Sequence, residues 1–464
     1  MRTRVMVEMA AILALCACAN GPAGLLNEAT GSMSQTLCSK TFVSGLPADE
    51  VMRDHLLPEP GMGAIAWGLH YDIDREGKNV RTTVFSGSER TAEFKSGRGC
   101  TLRYPGVPAP AALRSLPHAP ALLPDIAGAD VVTPQDRRLV AALDAAFAEP
   151  SSGPPRNTQA VVVVRGGRVI AERYAAGIGP DTPLLSHSMA KSLVNALIGV
   201  RVREGALNAT DKAPVAAWKT AADAHANITI DNLLRMNAGF GFDEGSGAST
   251  ATHIWYTKPD MAAAAAAADL KSAPGAAWGY CSRCFITLSR ILGDSIGGGP
   301  QGLSDFAHRQ VFDPLGMHSV TLEFDPTGTM MGANAVLAAP RDWARFGLLY
   351  LHDGVVGDRR ILPEGWVKYS TTPTGANGYG AGFWLNTTDA SIPEWHMKWG
   401  IPGAPRDAFM ARGYMGQYTV IVPSADLVIV RMGQSHGRNA EIASVGKLVA
   451  DVIAATPRTP AAAP

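Results

Sequence analysis

The most apolar helical pattern in the chain covers residues 189–202, where hydrophobic residues occupy almost every side of the predicted helix. Such a helix is buried in a sizeable domain rather than lying on its surface. Polar residues interrupt it at the spacing i, i+3, i+4 and i+7, which places them in a single stripe. Because a buried polar stripe is costly unless its groups are paired or take part in chemistry, it is the first candidate functional feature. Its members are Ser188, Lys191, Ser192 and Asn195.

The hydrophobic pattern also predicts helices and strands on both sides of this helix. A helix is expected to start at Thr133, and β-rich runs at 160–164 and 168–172 flank the Gly166-Gly167 turn of a hairpin. Strands from both ends of the region, with helices outside them, predict an α+β domain whose antiparallel sheet joins distant parts of the chain. Further helices are predicted at 228–236, 261–270, 285–296, 341–350 and 441–453, and further strands at 411–414, 418–422 and 427–432.

The pattern divides the chain into five parts. Residues 1–18 read as a leader, and β-rich stretches predict a small N-terminal module at 33–105. A Pro- and Ala-rich linker follows at 106–132, the main domain occupies 133–455, and 456–464 form a disordered tail.

Composition and charge exclude some classes of partner. The chain has 464 residues, of which 46% are hydrophobic, enough for a large core. Its 41 basic and 41 acidic residues balance, and no basic cluster occurs. Neither nucleic acid nor an acidic membrane surface is therefore expected as a partner.

The leader indicates export. Arg2 and Arg4 precede a short apolar run, which is followed by small residues. The sequence Leu-Cys-Ala-Cys at 15–18 resembles a bacterial lipobox, which would make Cys18 the lipidated first residue of the mature chain. Cys18 would then attach the protein to a membrane in the periplasm or at the outer membrane. The alternative is plain secretion with cleavage nearby.

An exported protein can form disulfide bonds. Four cysteines remain beyond the leader, and the pairs Cys38–Cys100 and Cys281–Cys284 are expected, the first closing the N-terminal module. A lone C-x-x-C could also be half of a zinc site, a redox pair or two free thiols. No second C-x-x-C or paired histidines accompany it, which argues against zinc.

Ser188 and Lys191 form an S-x-x-K pair at a helix entrance. A serine hydroxyl needs a base within hydrogen-bond reach, and a lysine one turn away can be that base if it is neutral. Moving the lysine pKa from about 10.4 to near 7 corresponds to roughly 4–5 kcal/mol, which burial can supply. Free amides at the helix start would favour a developing oxyanion. The alternative is an accidental pair whose lysine reaches water.

Other serines have similar local sequences. Ser444 and Lys447 also form S-x-x-K, but inside an amphipathic helical run without free amides. Ser435 lies in a G-x-S-x-G sequence between a strand and a helix, as a nucleophile elbow requires. No histidine follows that motif, however, and the repeated strand–helix units of a doubly wound sheet are missing. The G-x-S-x-G at 293–297 follows a helix and is interpreted as a turn.

Metal and nucleotide motifs are absent from the sequence. Neither H-E-x-x-H nor a Walker sequence occurs, and the eleven histidines are scattered. No metal and no cofactor is therefore predicted.

Four features together carry a family resemblance: S-x-x-K at 188–191, a loop containing Tyr280, the turn Arg-Asp-Trp-Ala-Arg-Phe-Gly at 341–347, and Gly-Tyr-Met-Gly-Gln at 413–417. The chain resembles the serine β-lactamase and penicillin-binding protein superfamily over residues 139–453. Within it, the likeness is greatest to class C–related hydrolases, namely family VIII carboxylesterases and above all 6-aminohexanoate-dimer hydrolases. This implies a β-lactamase/transpeptidase-like fold, an antiparallel sheet flanked by helices plus a helical subdomain.

The resemblance also implies residue roles. Ser188 would be the acylated nucleophile, Lys191 its base, and Tyr280 the proton carrier to the leaving group. The backbone N–H groups of Ser188 and Gln417 would form the oxyanion hole. Substrate-binding positions would be Ser282, Tyr414, Gly416, Trp278 and Trp384.

Two departures from the family pattern bear on the substrate. Ser282 stands where the tyrosine motif usually has asparagine, and 414–416 replace a lysine- or histidine-led motif. Losing that lysine removes a cation that would hold a carboxylate, so small ester or amide substrates are expected rather than β-lactams. A second hypothesis is a non-catalytic cell-envelope binding protein on the same fold.

Overall fold

The computed structural model describes residues 21–85, 87–115, 117–220, 223–392 and 394–457. The predicted leader with its lipidation site Cys18, and positions 458–464 of the predicted tail, lie outside the described residues. In the part of the chain that is described, no helix is both long and apolar enough to cross a membrane.

The strands form five sheets within the described residues. In chain order the strands are β1 (Leu69–Asp74), β2 (Asn79–Val84), β3 (Ser88–Lys95), β4 (Gly99–Leu102), β5 (Thr158–Arg165), β6 (Arg168–Tyr174), β7 (Leu184–Leu185), β8 (Thr321–Leu322), β9 (Val336–Ala338), β10 (Val355–Val356), β11 (Arg359–Arg360), β12 (Trp384–Leu385), β13 (Ser391–Ile392), β14 (Met397–Lys398), β15 (Phe409–Gly413), β16 (Gln417–Val422) and β17 (Leu427–Gly433). The largest sheet has six antiparallel strands in the order β12-β15-β16-β17-β5-β6, and a four-stranded meander, β1-β2-β3-β4, lies in the N-terminal module.

The six-stranded sheet joins distant parts of the chain, as the sequence predicts. β17 pairs with β5, placing Ile429 opposite Val163. The predicted hairpin is β5–β6, and both Gly166 (φ +56°) and Gly167 (φ +73°) have the positive φ that a tight turn of this kind requires. The expected α+β class and sheet are therefore confirmed.

Helices cover both faces of this sheet. The helix Pro340–Leu351 packs on β5, β16 and β17, with Gly347 close to Val428 and Thr419. The C-terminal helix packs near the opposite face, where Glu441 accepts a hydrogen bond from Tyr418. In chain order the α-helices are Gly21–Cys38, Ala48–Val51, Met62–Ile65, Arg137–Phe147, Ala190–Arg203, Ile230–Leu234, Ala251–Thr257, Met261–Ala266, Ser282–Ile296, Gly299–Ala307, Asp313–Leu315, Pro340–Leu351, Trp366–Ser370 and Arg438–Ala455.

Four predicted helix boundaries are wrong by three or four residues. The helices expected from 285 and 441 begin at Ser282 and Arg438. The helix expected from Thr133 begins at Arg137, because the Asp136 side chain accepts the Arg138 N–H at 2.8 Å and caps it there. The alanine-rich helix expected at 261–270 ends at Ala266. High helix propensity alone does not extend a helix beyond the last turn that packing supports.

The N-terminal helix (Gly21–Cys38) packs between the module sheet and the main domain. It contacts β2, β3 and β4 on one side and the helix Ala251–Thr257 on the other. The expected disulfide Cys38–Cys100 joins this helix to β4. The approach to the main domain is close, since a Cβ on Gly31 would lie 2.5 Å from the Tyr256 carbonyl oxygen.

A buried carboxylate also links the module to the main domain. Glu323 accepts hydrogen bonds from Gln35 Nε2 (2.8 Å), Ser39 Oγ (2.7 Å) and the Cys100 N–H (2.8 Å). Burial raises the pKa of Glu323 to about 7, against the lowering effect of these donors. The module is thus held by specific polar contacts in addition to the linker.

Candidate active site

Ser188 lies in a short 3-10 turn, His187–Met189, that leads into the buried helix Ala190–Arg203. His187 has φ +47°, an uncommon conformation for a residue other than glycine. The end of β15 packs against the same turn, because a Cβ on Gly413 would lie 2.2 Å from the Ser186 carbonyl oxygen. The turn therefore places Ser188 beside the end of β15 in the six-stranded sheet.

The structure brings Ser188 and Lys191 into direct contact. Lys191 Nζ lies 2.8 Å from Ser188 Oγ and 2.8 Å from the Ala333 carbonyl oxygen. Lys191 is 1% exposed. The alternative in which the lysine reaches water is therefore wrong.

Burial changes the acidity of this lysine. It lowers the pKa of Lys191 to about 8, while the nearby Glu244 and Asp243 carboxylates act in the opposite direction. A substantial fraction of the amine is consequently neutral at mildly alkaline pH. A neutral amine can accept the Ser188 proton, which an ammonium cannot.

Tyr280 is the third predicted catalytic residue, and it lies beside this pair. Lys191 Nζ is 5.0 Å from the centroid of the tyrosine ring, and the phenol interacts with Ser188. Burial, followed by the charge of Glu244, raises the pKa of Tyr280. The phenol is thus protonated at neutral pH, which suits a proton carrier and disfavours tyrosinate as the base.

The glycine-rich loop at 237–247, which packs against the start of the helix after Tyr280, contains two acidic residues that sequence reasoning missed. Asp243 accepts hydrogen bonds from the Ser282 N–H (2.8 Å) and the Arg283 N–H (2.9 Å), and Glu244 accepts one from Ser282 Oγ (2.5 Å). Burial, followed by the charge of Glu244, raises the pKa of Asp243. Ser282 is fully buried and hydrogen-bonded to this acidic pair. The signal available in the sequence was an adjacent Asp-Glu in a glycine-rich loop.

A disulfide bond lies directly after Tyr280. Cys281 and Cys284 are bonded to each other, as one of the predicted alternatives had it. Cys281 also caps the helix Ser282–Ile296, because its Sγ accepts the Cys284 N–H at 3.1 Å. The bond restricts the backbone that carries Tyr280.

The predicted oxyanion-hole and binding residues near position 414 form a fixed turn between β15 and β16. Met415 (φ +60°) and Gly416 (φ +85°) both have positive φ. The Gln417 side chain holds the turn, because its Nε2 donates to the carbonyl oxygens of Tyr414 (3.0 Å), Met415 (3.2 Å) and Gly433 (2.6 Å). The Gln417 backbone thus lies in a rigid segment near the Ser188 turn.

Arg431 supports this turn and also binds Ser435, the serine of the G-x-S-x-G sequence at 433–437. A Cβ on Gly416 would lie 1.9 Å from Arg431 Nη1, which explains the glycine there. Arg431 Nη1 donates to the Gly416 carbonyl oxygen (2.8 Å), and Nη2 donates to Ser435 Oγ (2.8 Å). Ser435 Oγ in turn donates to the Arg156 carbonyl oxygen (2.6 Å). The Ser435 hydroxyl is therefore engaged in structural bonds.

The lysine of the second S-x-x-K sequence, at 444–447, lies on the protein surface. Lys447 forms an exposed ion pair with Asp451 at 2.6 Å within the C-terminal helix. Its amine therefore lacks the burial that lowers the pKa of Lys191.

Aromatic rings surround Tyr280 on several sides. The centroids of Trp395, Trp384, Tyr379 and Trp278 lie 4.8, 5.4, 6.2 and 6.4 Å from that of Tyr280. Trp278 and Trp384 were predicted binding residues, whereas Trp395 was missed. Together these rings form an apolar wall next to the Ser188–Lys191 pair.

The N-terminal module reaches this site as well. The His55 ring lies 5.4 Å from the His187 ring, and Tyr414 Oη donates to Glu59 Oε2 at 3.0 Å. Tyr414, a predicted binding residue, is partly exposed. Nothing in the module sequence indicated these contacts, because they depend on how the module docks.

His187 precedes Ser188 and is an obvious competitor for the role of base. Burial, followed by the charge of Lys40, lowers the pKa of His187 to about 3. Its Nδ1 lies 3.3 Å from Asn334 Oδ1. An imidazole of such low basicity is a poor proton acceptor, which favours Lys191.

This fold, with a serine and a buried lysine one turn apart at the entrance of a central helix, defines the class of serine hydrolases built like β-lactamases. The model of the Beta-lactamase family matches residues 143–454. The chain therefore belongs to that family, and the N-terminal module lies outside the matched segment.

Individual relatives agree with this assignment. The 6-aminohexanoate-dimer hydrolase of Paenarthrobacter ureafaciens is 26% identical over 289 residues, which are 59% of this chain and 72% of that protein. Solved structures share the fold at low identity. EstCE1, described as a hydrolase with promiscuous acyltransferase activity, superposes with a TM-score of 0.52 at 15% identity, covering 68% of this chain and 99% of its own. A penicillin-binding protein homologue from Caulobacter crescentus gives 0.50 at 20% identity, covering 71% and 100%.

Proposed function

We propose that the protein hydrolyses esters or amides through a covalent acyl-enzyme on Ser188. The observation that carries this proposal is the 2.8 Å contact between Ser188 Oγ and the buried Lys191 amine. Burial keeps much of that amine neutral near pH 8, so the pair is arranged for nucleophilic catalysis.

Acylation proceeds in two proton transfers. Ser188 Oγ attacks the substrate carbonyl carbon while its proton passes to Lys191 Nζ. The tetrahedral intermediate then collapses, and the leaving alcohol or amine takes a proton through the Tyr280 hydroxyl, which Lys191 reprotonates. Water attacks the acyl group in the second half, and the free acid leaves Ser188 with its proton restored.

The negative oxygen of the intermediate binds to two backbone N–H groups in this proposal. They belong to Ser188, at the start of the buried helix, and Gln417, after the turn held by its own side chain. The packing of β15 against the Ser188 turn supports this pairing.

The substrate class follows from what surrounds Ser188. Residues 414–416 contribute no lysine, so a substrate carboxylate lacks the cation that the family's third motif often provides. The aromatic wall around Tyr280 favours apolar or extended acyl groups. Short esters and linear amides are proposed substrates, with 6-aminohexanoate oligomers as the amide suggested by the similar hydrolase of Paenarthrobacter ureafaciens.

A fluorophosphonate probe with mass-spectrometric mapping tests the proposal. We expect one adduct at Ser188 in the wild type, none in Ser188→Ala, and full labelling in Ser435→Ala and Ser444→Ala. An adduct at Ser435 would overturn the assignment of the nucleophile. No adduct on any serine would favour the non-catalytic binding protein instead.

Location is a separate proposal. We propose that the protein is exported and attached to a membrane through Cys18. Two disulfide bonds support export, because such bonds persist in oxidising compartments. Fractionation tests it: the wild type is expected with membranes, and Cys18→Ala in the soluble exported fraction.

A further inference from the structure

A cluster of ligand-type side chains lies where the linker 106–132 crosses the main domain. His118 comes from the linker, and His308 and Asp313 come from the end of the helical segment that follows Gly299. Each offers one ligand atom, and these atoms all lie within 4.8 Å of one another. None of the three takes part in the Ser188 site.

The cluster is arranged around one carboxylate oxygen. His118 Nδ1 lies 3.1 Å and His308 Nδ1 lies 3.4 Å from Asp313 Oδ1. Neighbouring ligand atoms on a tetrahedral zinc ion, with bonds of about 2.0–2.1 Å, are roughly 3.3 Å apart. Both imidazoles therefore already stand at a coordinating distance from the carboxylate.

Burial differs among the three side chains in a way that suits an ion site. Asp313 is 6% exposed, His308 21% and His118 44%. The His118 side is thus the side open to solvent, from which an ion could enter and keep water as a further ligand. The Ala119 N–H also donates to Asp313 Oδ2 at 3.3 Å, which orients the carboxylate.

We propose that His118, His308 and Asp313 bind one divalent transition-metal ion of the zinc type, and that this ion fastens the linker to the main domain. Two imidazole nitrogens and one carboxylate suit Zn²⁺, whereas Mg²⁺ and Ca²⁺ prefer oxygen ligands throughout. On binding, each coordinating Nδ1 loses its proton, which moves to Nε2 or to solvent.

The neighbouring contacts explain what the ion would add. The Leu122 and Leu123 N–H groups donate to the Pro314 carbonyl oxygen at 2.9 and 3.0 Å. These two bonds hold the linker on one side of Asp313, and the ion would hold it at His118. The competing interpretation is a cluster of hydrogen bonds only, in which both imidazoles donate to Asp313.

Titration of the full-length protein with Zn²⁺ tests the proposal. Metal is first removed with a chelator, and no reductant is added, so that Cys281 and Cys284 remain bonded. We expect one Zn²⁺ per chain by calorimetry, a higher Tm, and slower proteolysis within 106–132. Mg²⁺ and Ca²⁺ should produce none of these effects at the same concentration.

Variants assign the binding to this cluster. His118→Gln and His308→Gln should each weaken Zn²⁺ binding at least about tenfold, because loss of even an outer-shell partner costs 10–100-fold. His352→Gln, at an exposed histidine elsewhere, is the matched control and should bind like the wild type. Zn²⁺ binding that is absent, or unchanged in both cluster variants, would overturn the proposal and leave only hydrogen bonds. These readouts do not depend on hydrolase activity.

Discussion

The Lys191 amine is the group whose chemistry depends most on its surroundings. Lys447 has the same local S-x-x-K sequence but forms an exposed ion pair with Asp451. Lys191 is buried against Ser188 and the Ala333 carbonyl oxygen, and its pKa falls to about 8. The motif therefore acquires a base only where tertiary packing removes water from the lysine.

Replacing this lysine should remove the base without unfolding the protein. We expect Lys191→Ala to keep the fold and to lower the acylation rate by more than about 100-fold, the usual scale for a positioned base. Stopped-flow kinetics with a p-nitrophenyl ester measures the rate. Lys447→Ala, the matched control, should acylate at the wild-type rate. Normal acylation in Lys191→Ala would exclude lysine from the mechanism.

The dependence of rate on pH should report the same amine. Because neutral Lys191 is the active form, kcat/KM should rise as pH increases through about 8. Glu244 raises the lysine pKa, so Glu244→Gln should move the midpoint of this rise to lower pH while still accepting the Ser282 hydrogen bond. Asp451→Asn is the control and should leave the midpoint unchanged. An unchanged midpoint in Glu244→Gln would mean that a group other than Lys191 controls the rise of kcat/KM with pH.

The proposed catalytic residues are recognisable in the sequence, but their neighbours are not. Ser188, Lys191 and Tyr280 belong to local motifs that a single sequence displays. Asp243 and Glu244 approach Lys191 only because the loop folds back against the start of the helix Ser282–Ile296. Contacts between residues distant in sequence leave no periodic signal.

At the scale of elements, the polar stripe of the buried helix explains why this helix is well fixed. Asn195 Oδ1 accepts hydrogen bonds from Tyr350 Oη (2.5 Å) and Trp366 Nε1 (3.0 Å), and Ser192 Oγ donates to the Gly382 carbonyl oxygen (2.6 Å). The half of the stripe remote from Ser188 is thus structural. The sequence could predict the stripe and its Ser188–Lys191 pair, but not the hydrogen-bond partners of Ser192 and Asn195.

Removing Asn195 should destabilise the protein strongly. Asn195→Ala leaves the Tyr350 hydroxyl and the Trp366 N–H without their acceptor, and each unsatisfied buried group costs about 1–3 kcal/mol. We expect the free energy of unfolding to fall by about 3 kcal/mol or more in denaturant titrations. Asn439→Ala, at an exposed position, should change it by less than about 0.5 kcal/mol. Equal losses in the free energy of unfolding for the two variants would show that the hydrogen bonds to Asn195 do not stabilise the fold.

A substitution in the N-terminal helix tests how much the contact between this helix and the main domain stabilises the protein. Gly31→Ala places a Cβ against the Tyr256 carbonyl oxygen, a backbone atom that cannot move alone. We expect a loss of about 1–3 kcal/mol in the free energy of unfolding, as for other overpacked contacts. Gly63→Ala, whose Cβ would have no neighbour within 4 Å, is the control and should be neutral or stabilising. A neutral Gly31→Ala would mean that the two helices separate easily.

At the scale of the whole molecule, the fold class and the main sheet could be predicted, whereas the docking of the module could not. Alternating hydrophobicity and the Gly166-Gly167 turn reveal the strands, and the S-x-x-K helix supplies the centre of the domain. The module sequence contains strands and two cysteines, which predict a closed unit. Its contacts through Glu59 with Tyr414 and through His55 with His187 join surfaces that carry no motif.

The buried carboxylate of Glu323 carries an evolutionary consequence. Its three donors all belong to the segment that precedes the β-lactamase-like domain, so deletion of that segment would remove all three hydrogen bonds together with part of the cover over the carboxylate. In a lineage that lost the segment, nothing in these contacts would favour keeping a glutamate at this position. Homologues should therefore either have both the N-terminal segment and a glutamate at the position of Glu323, or lack both.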